Sequence, residues 1–234
     1  MPASLTSCQT ARARRGARLI GIVGMACIWV LLAGLWLPRG AEARGAAPRS
    51  AARPVIGTEV YILRGLFNVF SLGMDDLAER LQRGQIRSSV HNHLAWSGIG
   101  QAIIGRRRAG AAPTRLVLIG HSLGANDVVS LARMLGAAGI GVDLVITVDP
   151  TAPGLAPANV RHLFNYYQSS NGFGAAVLPG AGFHGMLVNA DLATNRRDLN
   201  SANVGHASID KSPAVQREII ALVNIVHAGR SLAP

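Results

Sequence analysis

Short apolar runs alternate with segments in which apolar residues recur at helical spacing through most of this 234-residue chain. Residues 59–63 form an apolar run that predicts a strand. The next apolar positions recur every three or four residues, as on one face of a helix: Met74, Leu77, Ala78 and Leu81. The same signals predict further strands at residues 86–91, 116–119, 142–148, 160–167 and 186–189, and further helices at residues 96–108, after Ser122 and from Ser212-Pro213 onward. Apolar strands that alternate with helices predict an α/β fold, a three-layer αβα sandwich around a mostly parallel central sheet.

The first 43 residues have the organisation of an export leader. Four arginines precede an apolar stretch at residues 19–37, and the small-x-small sequence Ala41-Glu42-Ala43 follows it. This order predicts that residues 1–43 are a secretory signal peptide cleaved after Ala43. An uncleaved signal anchor is the alternative, because an apolar stretch of this length approaches the roughly 20 residues that span a bilayer.

Both outcomes place the rest of the chain outside the cytoplasm, because positive charges before an apolar segment stay on the cytoplasmic side. We therefore expect a periplasmic or secreted protein, or one anchored in the inner membrane and facing the periplasm if the leader is retained. Residues 44–53 are rich in Ala, Gly, Pro and Arg and predict a flexible linker, which leaves residues 54–234 as one domain. Cys8 and Cys27 both lie in the leader, so the cleaved chain would have neither a disulfide nor a thiol nucleophile.

The chain is basic, with a formal net charge of +11 at pH 7. Removing residues 1–43 leaves 18 basic and 11 acidic residues, a net charge of +7. The dense cluster Arg106-Arg107-Arg108 ends a predicted helix, where cations interact favourably with the helix dipole, so we interpret it first as a solvated helix end. Peripheral contact with an anionic envelope surface is the second interpretation, and no nucleic-acid partner is expected.

One pentapeptide supplies the candidate chemistry. Gly120-His121-Ser122-Leu123-Gly124 directly follows the apolar strand at residues 116–119 and precedes a helical pattern. This context makes Ser122 a candidate nucleophile on a strand-to-helix turn. A serine that attacks an acyl group needs a base that accepts its proton and an acid that orients the base.

The acid and the base are expected after the serine in the chain. Asp149 is the expected acid, because it ends the next predicted strand and active groups of parallel sheets gather at the carboxyl ends of strands. Asp191 and Asp198 are the alternative acids. The expected base is His206, which lies in a loop leading into the final helix, and His184 is the second choice.

Two backbone amides would have to bind the oxyanion that develops during acyl transfer. One is expected from Leu123, the residue after the nucleophile. The other is expected from Leu66, in the loop after the first predicted strand, with Phe67 as the alternative.

Two further stretches carry residues that suggest ligand contacts. Residues 171–185 contain five glycines together with Phe173 and Phe183, and predict an apolar substrate loop. That loop covers an acyl chain as a lid in one interpretation and is an ordinary long connection in the other. His91-Asn92-His93 places two imidazoles near a strand end, but no third ligand stands at suitable spacing, so we expect neither a metal nor a cofactor.

With these residues in place, the chain resembles the α/β-hydrolase family of serine esterases, lipases and thioesterases. Ser122, Asp149 and His206 follow the family's order of nucleophile, acid and base. Gly65-Leu66 looks like the family's oxyanion segment. The resemblance implies a compact α/β-hydrolase fold and an exported serine hydrolase that cleaves carboxylic esters or thioesters of a small-molecule or lipid-like substrate through an acyl-enzyme.

The same scaffold leaves two other functions open. An envelope acyltransferase would pass the acyl group from the same serine to an acceptor other than water, and a non-catalytic binding protein would keep the fold without turnover. A complete set of serine, acid and base argues against the second, since a scaffold freed from catalysis has no need of all three. Acyl chain length and leaving group do not follow from fold and triad.

Overall fold

The computed structural model describes residues 57–66, 71–200 and 204–232. All of them belong to one compact unit, Ser50–Pro234. The predicted leader at residues 1–43, the predicted linker at residues 44–53 and the alternative oxyanion residue Phe67 lie outside the described residues. No helix within the described ranges is both long enough and apolar enough to cross a membrane.

Six strands form a single, wholly parallel sheet in the described part of the chain. They are β1 (Thr58–Leu63), β2 (Arg87–His91), β3 (Arg115–His121), β4 (Leu144–Val148), β5 (His162–Tyr167) and β6 (Met186–Asp191). The order across the sheet is β2-β1-β3-β4-β5-β6, so β3 lies between β1 and β4. The carboxyl ends of the strands share one edge, here called the strand-end edge, and their amino ends share the opposite strand-start edge.

Helices cover both faces of this sheet. They are α1 (Gly73–Arg83), α2 (Trp96–Arg108), α3 (Leu123–Ala137) and α4 (Pro213–His227). Helices α1 and α4 pack on one face, and α2 and α3 pack on the other. The predicted three-layer sandwich with a parallel sheet is confirmed, and the helix predicted at residues 96–108 has the bounds of α2.

Neighbouring residues of each strand face opposite layers of the core. In β3, Ile119 packs into the layer under α1 and α4, whereas Leu118 packs into the layer under α2 and α3. In β4, Ile146 and Val145 divide between the same two layers. Side chains alternate along a strand, so only strands that are apolar at successive positions can fill both layers. This is why continuous apolar runs in the sequence mark the strands.

Arg106 is not the solvated helix end that the sequence suggested. Its guanidinium donates to both carboxylate oxygens of Glu59, at 2.9 and 2.7 Å, and to the hydroxyl of Tyr61 at 2.6 Å. Glu59 is almost fully buried at the start of the sheet. Burial raises the pKa of Glu59, but hydrogen bonds from Arg106, Tyr61 and Arg87 outweigh that effect, so the pKa lies below its ordinary value. The other two arginines of the cluster are exposed.

Asp210 is a buried carboxylate at the start of α1. It lies in the 3₁₀ turn Ile209–Lys211, and its Oδ2 accepts the N–H of Gly73 at 2.9 Å. The other carboxylate oxygen, Oδ1, has no hydrogen-bond partner within the described residues. Burial raises the pKa of Asp210 to about 6, because the charged form is poorly solvated there.

The stability of the wild type relative to the variant Asp210→Asn is expected to fall as the pH rises from about 4 to about 6. A carboxyl whose pKa is raised in the folded state holds its proton longer there than in the unfolded chain. The contribution of Asp210 to the free energy of unfolding therefore falls as the pH rises through this range, by at most about 3 kcal/mol, and the difference between the two proteins isolates it. Urea unfolding midpoints of both proteins across this range measure the effect. Parallel pH curves would show that Asp210 does not titrate there.

Candidate active site

Ser122 occupies the turn between β3 and α3 at the strand-end edge. Its backbone has φ +58° and ψ −122°, a conformation that residues with a β-carbon rarely adopt. Two glycines make this turn possible. A β-carbon on Gly120 would overlap the carbonyl of Gly124, and one on Gly124 would overlap the carbonyl of Leu63. The strained turn thus presents the serine next to the loop that follows β1.

The structure brings Ser122, His206 and Asp149 into one hydrogen-bonded row. Ser122 Oγ lies 2.9 Å from His206 Nε2, and His206 Nδ1 lies 2.7 Å from Asp149 Oδ2. A carboxylate can only accept, so Nδ1 carries the proton and Nε2 accepts the hydroxyl proton of Ser122. Asp149 is fully buried, whereas the His206 side chain is 21% exposed. The row can therefore carry a proton from the serine to an imidazole that faces a negative charge.

The alternative acids and the alternative base lie elsewhere. Asp191 ends β6 and accepts hydrogen bonds from Ser169 and from the turn that follows the strand. Asp198 is exposed and pairs with Arg196. His184 precedes β6 and so belongs to the strand-start edge, opposite the serine.

Asp149 is held by residues that the sequence did not single out. Its backbone has φ +48°, and its side chain accepts the Asn171 amide at Oδ2 (2.6 Å) and the Gln168 N–H at Oδ1 (3.2 Å). The Oδ1 atom of Asn171 in turn accepts the N–H groups of Phe173 and Gly174. A β-carbon on Gly174 would overlap Asp149 Oδ1, so glycine is required where the loop crosses the carboxylate. The acid and the loop after β5 form one hydrogen-bonded unit.

Leu123 and Leu66 both line the cleft in front of Ser122. Leu123 is the first residue of α3, where backbone N–H groups have no partner within the helix and the helix dipole favours negative charge. Leu66 follows Gly65, and a β-carbon on Gly65 would lie 2.9 Å from Ser122 Cβ. The N–H of Gly65 itself donates to Ser71 Oγ at 2.9 Å. The predicted pair of oxyanion residues thus flanks the nucleophile.

Arg64 fastens the segment after β1 to α1. Its Nε donates to Asp75 Oδ2 at 2.9 Å, and its Nη2 pairs with Asp75 Oδ1. The Arg64 N–H donates to the carbonyl of His91 at 3.0 Å. The guanidinium is therefore engaged by the first turn of α1.

An apolar cleft of about 630 Å³ opens in front of Ser122. Leu66, Leu123, Phe173 and Ala207 contribute to its wall. The Phe173 ring stacks on the His206 imidazole, with centroids 4.6 Å apart and planes 28° from parallel. Leu66 and Phe173 are about half exposed, so the mouth of the cleft is apolar as well. The volume falls within the range of roughly 300–1,000 Å³ found for small-molecule sites.

Of the two phenylalanines assigned to the substrate loop, the structure places only Phe173 at the cleft. Phe183 instead packs against the core layer under α2 and α3, so its assignment to the substrate loop is corrected. The reason is the path of residues 171–185, which run from the end of β5 to the start of β6. They cross from the strand-end edge to the strand-start edge, so the last residues of the loop lie far from the serine.

A ladder of polar side chains fastens this loop to the sheet. Thr147 of β4 donates to Asn165 of β5 at 2.8 Å, and Asn165 donates to Asn189 of β6 at 2.9 Å. Asn165 also donates to the carbonyl of Ala175, and Asn189 makes two hydrogen bonds with the backbone of Val177. These bonds favour an ordinary connection over a lid from Ala175 onward.

The two histidines of the β2 end have separate partners. His91 Nε2 lies 2.9 Å from Ser89 Oγ, and His93 Nδ1 lies 2.9 Å from Asp127 Oδ2. No group of three or more His, Cys, Asp or Glu side chains within the described ranges is arranged to hold a metal ion.

No protein-family profile matches the chain, and no curated protein matches it. Among solved structures, the chain is similar to a candidate hydrolase of the alpha/beta superfamily from Xanthomonas campestris pv. campestris, with 16% identity and a TM-score of 0.41 over 72% of this chain and 98% of that one. It is also similar to a cutinase-like protein from Cryptococcus sp., with 17% identity and a TM-score of 0.45 over 78% of this chain and 100% of that one.

The fold has the features that the resemblance to α/β-hydrolases implies. A wholly parallel sheet is covered on both faces, and a serine turn follows its β3 strand. The chain therefore has an α/β fold that resembles that of the α/β-hydrolases.

Proposed function

We propose that this chain is a serine hydrolase that cleaves carboxylic esters or thioesters through an acyl-enzyme. The observation that carries the proposal is the row Ser122–His206–Asp149, with hydrogen-bond distances of 2.9 and 2.7 Å. A serine, an imidazole in the accepting tautomer and a buried carboxylate are the three groups that acyl transfer to serine requires. Their position at the mouth of an apolar cleft gives an acyl group room to bind.

In the first half of the reaction, Ser122 Oγ attacks the carbonyl carbon while His206 Nε2 takes the hydroxyl proton. The N–H groups of Leu66 and Leu123 bind the oxyanion, and each such donor typically contributes about 3 kcal/mol to the transition state. The tetrahedral intermediate collapses as the bond to the leaving alcohol or thiol breaks, and His206 returns its proton to that group. Asp149 stabilises the imidazolium in between. Water then repeats the sequence on the acyl-enzyme and releases the acid.

The cleft supports an apolar acyl group as the bound part of the substrate. Leu66 and Phe173 form an apolar mouth, and the Phe173 ring covers one face of the His206 imidazole. Apolar surface buried by an acyl chain contributes roughly 0.8 kcal/mol for each methylene group. We therefore expect activity to rise with acyl length until the chain outgrows the cleft.

Reaction of the purified full-length protein with a fluorophosphonate probe tests the proposal, because such probes form a stable adduct with an activated serine. One adduct is expected, on the peptide that contains Ser122. Rates on p-nitrophenyl esters of increasing acyl length then report how far the cleft extends. Absence of labelling, or labelling at a different serine, would overturn the proposed role of Ser122.

An envelope acyltransferase would use the same acyl-enzyme and differ only in the second acceptor. Product analysis with added alcohols separates the two reactions, since transfer yields a new ester and hydrolysis yields the free acid. The hydrogen-bonded row of Ser122, His206 and Asp149 argues against a non-catalytic binding protein.

We further propose that residues 1–43 direct export and that the strand-start edge can contact an anionic envelope surface. Helices run from the strand-end edge to the strand-start edge, with acidic residues in the first turn of α1 and arginines in the last turns of α1 and α2. Arginines of the strand-start edge are Arg83, Arg87, Arg107, Arg108, Arg115, Arg161 and Arg230. Contact through this edge would leave the cleft at the opposite edge facing away from the surface.

A further inference from the structure

A second hydrogen-bonded chain, made of side chains and backbone groups, connects the segment after β1 with the loop that carries His206. The N–H of Gly65 donates to Ser71 Oγ at 2.9 Å, and Ser71 Oγ lies 2.7 Å from His121 Nδ1. On its other side, His121 Nε2 lies 2.9 Å from the backbone carbonyl of His206. The chain therefore starts in the segment that carries Leu66 and ends on the backbone of the imidazole that faces Ser122.

The direction of every bond in this chain follows from its acceptors. The His206 carbonyl can only accept, so His121 Nε2 carries a proton and donates it. In the neutral ring, Nδ1 is then an acceptor, which takes the hydroxyl proton of Ser71. The Ser71 oxygen in turn accepts from Gly65. No donor faces another donor, so every hydrogen bond of this series has one donor and one acceptor when His121 is neutral.

Burial keeps His121 in this state. His121 is 1% exposed and Ser71 is fully buried. Burial lowers the pKa of His121 to about 4, against the opposing effect of the hydrogen bond to the His206 carbonyl. The nearby charged or titratable groups are His206, Asp149 and Lys211. The ring is neutral near pH 7 and supplies one donor and one acceptor.

We propose that His121 and Ser71 are positioning residues that hold the base and the oxyanion segment in one rigid frame. This inference rests on the proposed serine-hydrolase function and assigns to it two residues that act through the backbone groups they hold and take no part in the proton transfer. Holding the His206 carbonyl fixes the backbone from which the imidazole extends. Holding the Gly65 N–H fixes the turn from which Leu66 presents its N–H to the oxyanion that forms during attack by Ser122.

The rings of His121 and His206 also lie close, with centroids 5.2 Å apart. A displacement of the base or the amide by about 1 Å can lower the rate of a positioned reaction by about 100-fold. Loss of one neutral hydrogen bond corresponds to about a tenfold change. The expected effects of breaking the frame therefore fall between about 10- and 100-fold in kcat, with little change in KM.

Three substitutions of His121 separate the two halves of the frame. The amide nitrogen of Gln reaches the position of Nε2, so His121→Gln keeps the donor to the His206 carbonyl. The side chain of Asn reaches only the position of Nδ1, so His121→Asn keeps the partner of Ser71 and loses that donor. His121→Leu keeps the volume and loses both. We expect kcat to decrease in the order Gln, Asn, Leu, with Gln within about threefold of the wild type.

Ser71→Ala and a control complete the set. Ser71→Ala leaves the Gly65 N–H without its acceptor and is expected to lower kcat about tenfold. His162→Gln is the matched control, because His162 is also buried and its Nδ1 is bonded to the Asp143 carbonyl, but it lies at the strand-start edge. Thermal unfolding of each variant shows whether it is folded. A purely structural role for His121 would lower stability and leave kcat of the folded protein unchanged.

A spectroscopic measurement decides the inference independently of turnover. In protein labelled with ¹⁵N at histidine, His121 is expected as the Nε2–H tautomer, and the Nδ1–H signal of His206 is expected to shift in His121→Leu and remain in His121→Gln. A His121 ring with its proton on Nδ1, or a His206 signal indifferent to His121→Leu, would overturn the inference. If the fluorophosphonate does not label Ser122 and turnover does not need it, the proposed function is wrong. The tautomer of His121 and the His206 signal would still test the positioning role of His121. If turnover needs Ser122 but is equal in His121→Gln and His121→Leu, the positioning role of His121 is wrong and the proposed function is retained.

Discussion

Ser122→Ala is expected to lower kcat for ester hydrolysis by about 10⁴-fold or more and to abolish labelling by a fluorophosphonate. The substitution keeps the β-carbon, so the strained turn at φ +58° is retained, and it removes only the oxygen that faces His206 Nε2. Without that oxygen no acyl-enzyme forms, and what remains is attack by water aided by the oxyanion amides. Steady-state kinetics and intact-mass analysis after labelling measure both effects.

Ser130→Ala is the matched control for this variant. Ser130 lies on α3, the helix that follows Ser122, and its Oγ donates to the carbonyl of Asn126 rather than to a group of the triad. Its hydrolysis rate is expected to equal that of the wild type. Undiminished hydrolysis in Ser122→Ala would mean that a different group carries the reaction.

Asp149→Asn is expected to lower kcat by about 10³- to 10⁴-fold with a much smaller change in KM. Both carboxylate oxygens face N–H donors, since Oδ2 accepts from His206 and Asn171 and Oδ1 accepts from Gln168. An amide has one accepting oxygen, so its NH₂ group faces a donor in either orientation. One orientation forces His206 into the wrong tautomer, and both remove the charge that stabilises the imidazolium.

Asp198→Asn is the matched control for the acid. The Asp198 side chain is 62% exposed and pairs with Arg196. It is one of the two alternative acids that the sequence suggested. Its kcat is expected to remain at the wild-type value. Equal losses in Asp149→Asn and Asp198→Asn would assign the effect to general damage rather than to the acid.

The elements of this fold were predictable where a local pattern determines them. The strands β3 and β4 are apolar at successive positions because both faces are covered, and that property is visible in the sequence as short apolar runs. The turn at Ser122 was predictable for a related reason. Only glycine fits at Gly120 and Gly124, so the two glycines near the serine indicate the geometry of the turn in the sequence.

The residues that sequence reasoning missed act across the fold. Asn171 follows Asp149 by 22 positions and meets it only because β5 returns the chain to the same edge. His121 stands inside the pentapeptide, but the pattern leaves that position open, and its partners come from Ser71 and His206. Phe183 was misassigned because glycine and phenylalanine content describes a loop without showing which edge of the sheet each part reaches.

The double role of Asn171 links what the cleft admits to how fast it reacts. Its Nδ2 donates to Asp149, while its Oδ1 accepts the N–H groups of Phe173 and Gly174 at the mouth of the cleft. A substrate bulky enough to displace the backbone of Phe173 would also pull on Asn171 and so on its hydrogen bond to Asp149. Oversized acyl groups should therefore be selected against in the chemical step itself, so that discrimination between substrates shows in kcat as well as in KM.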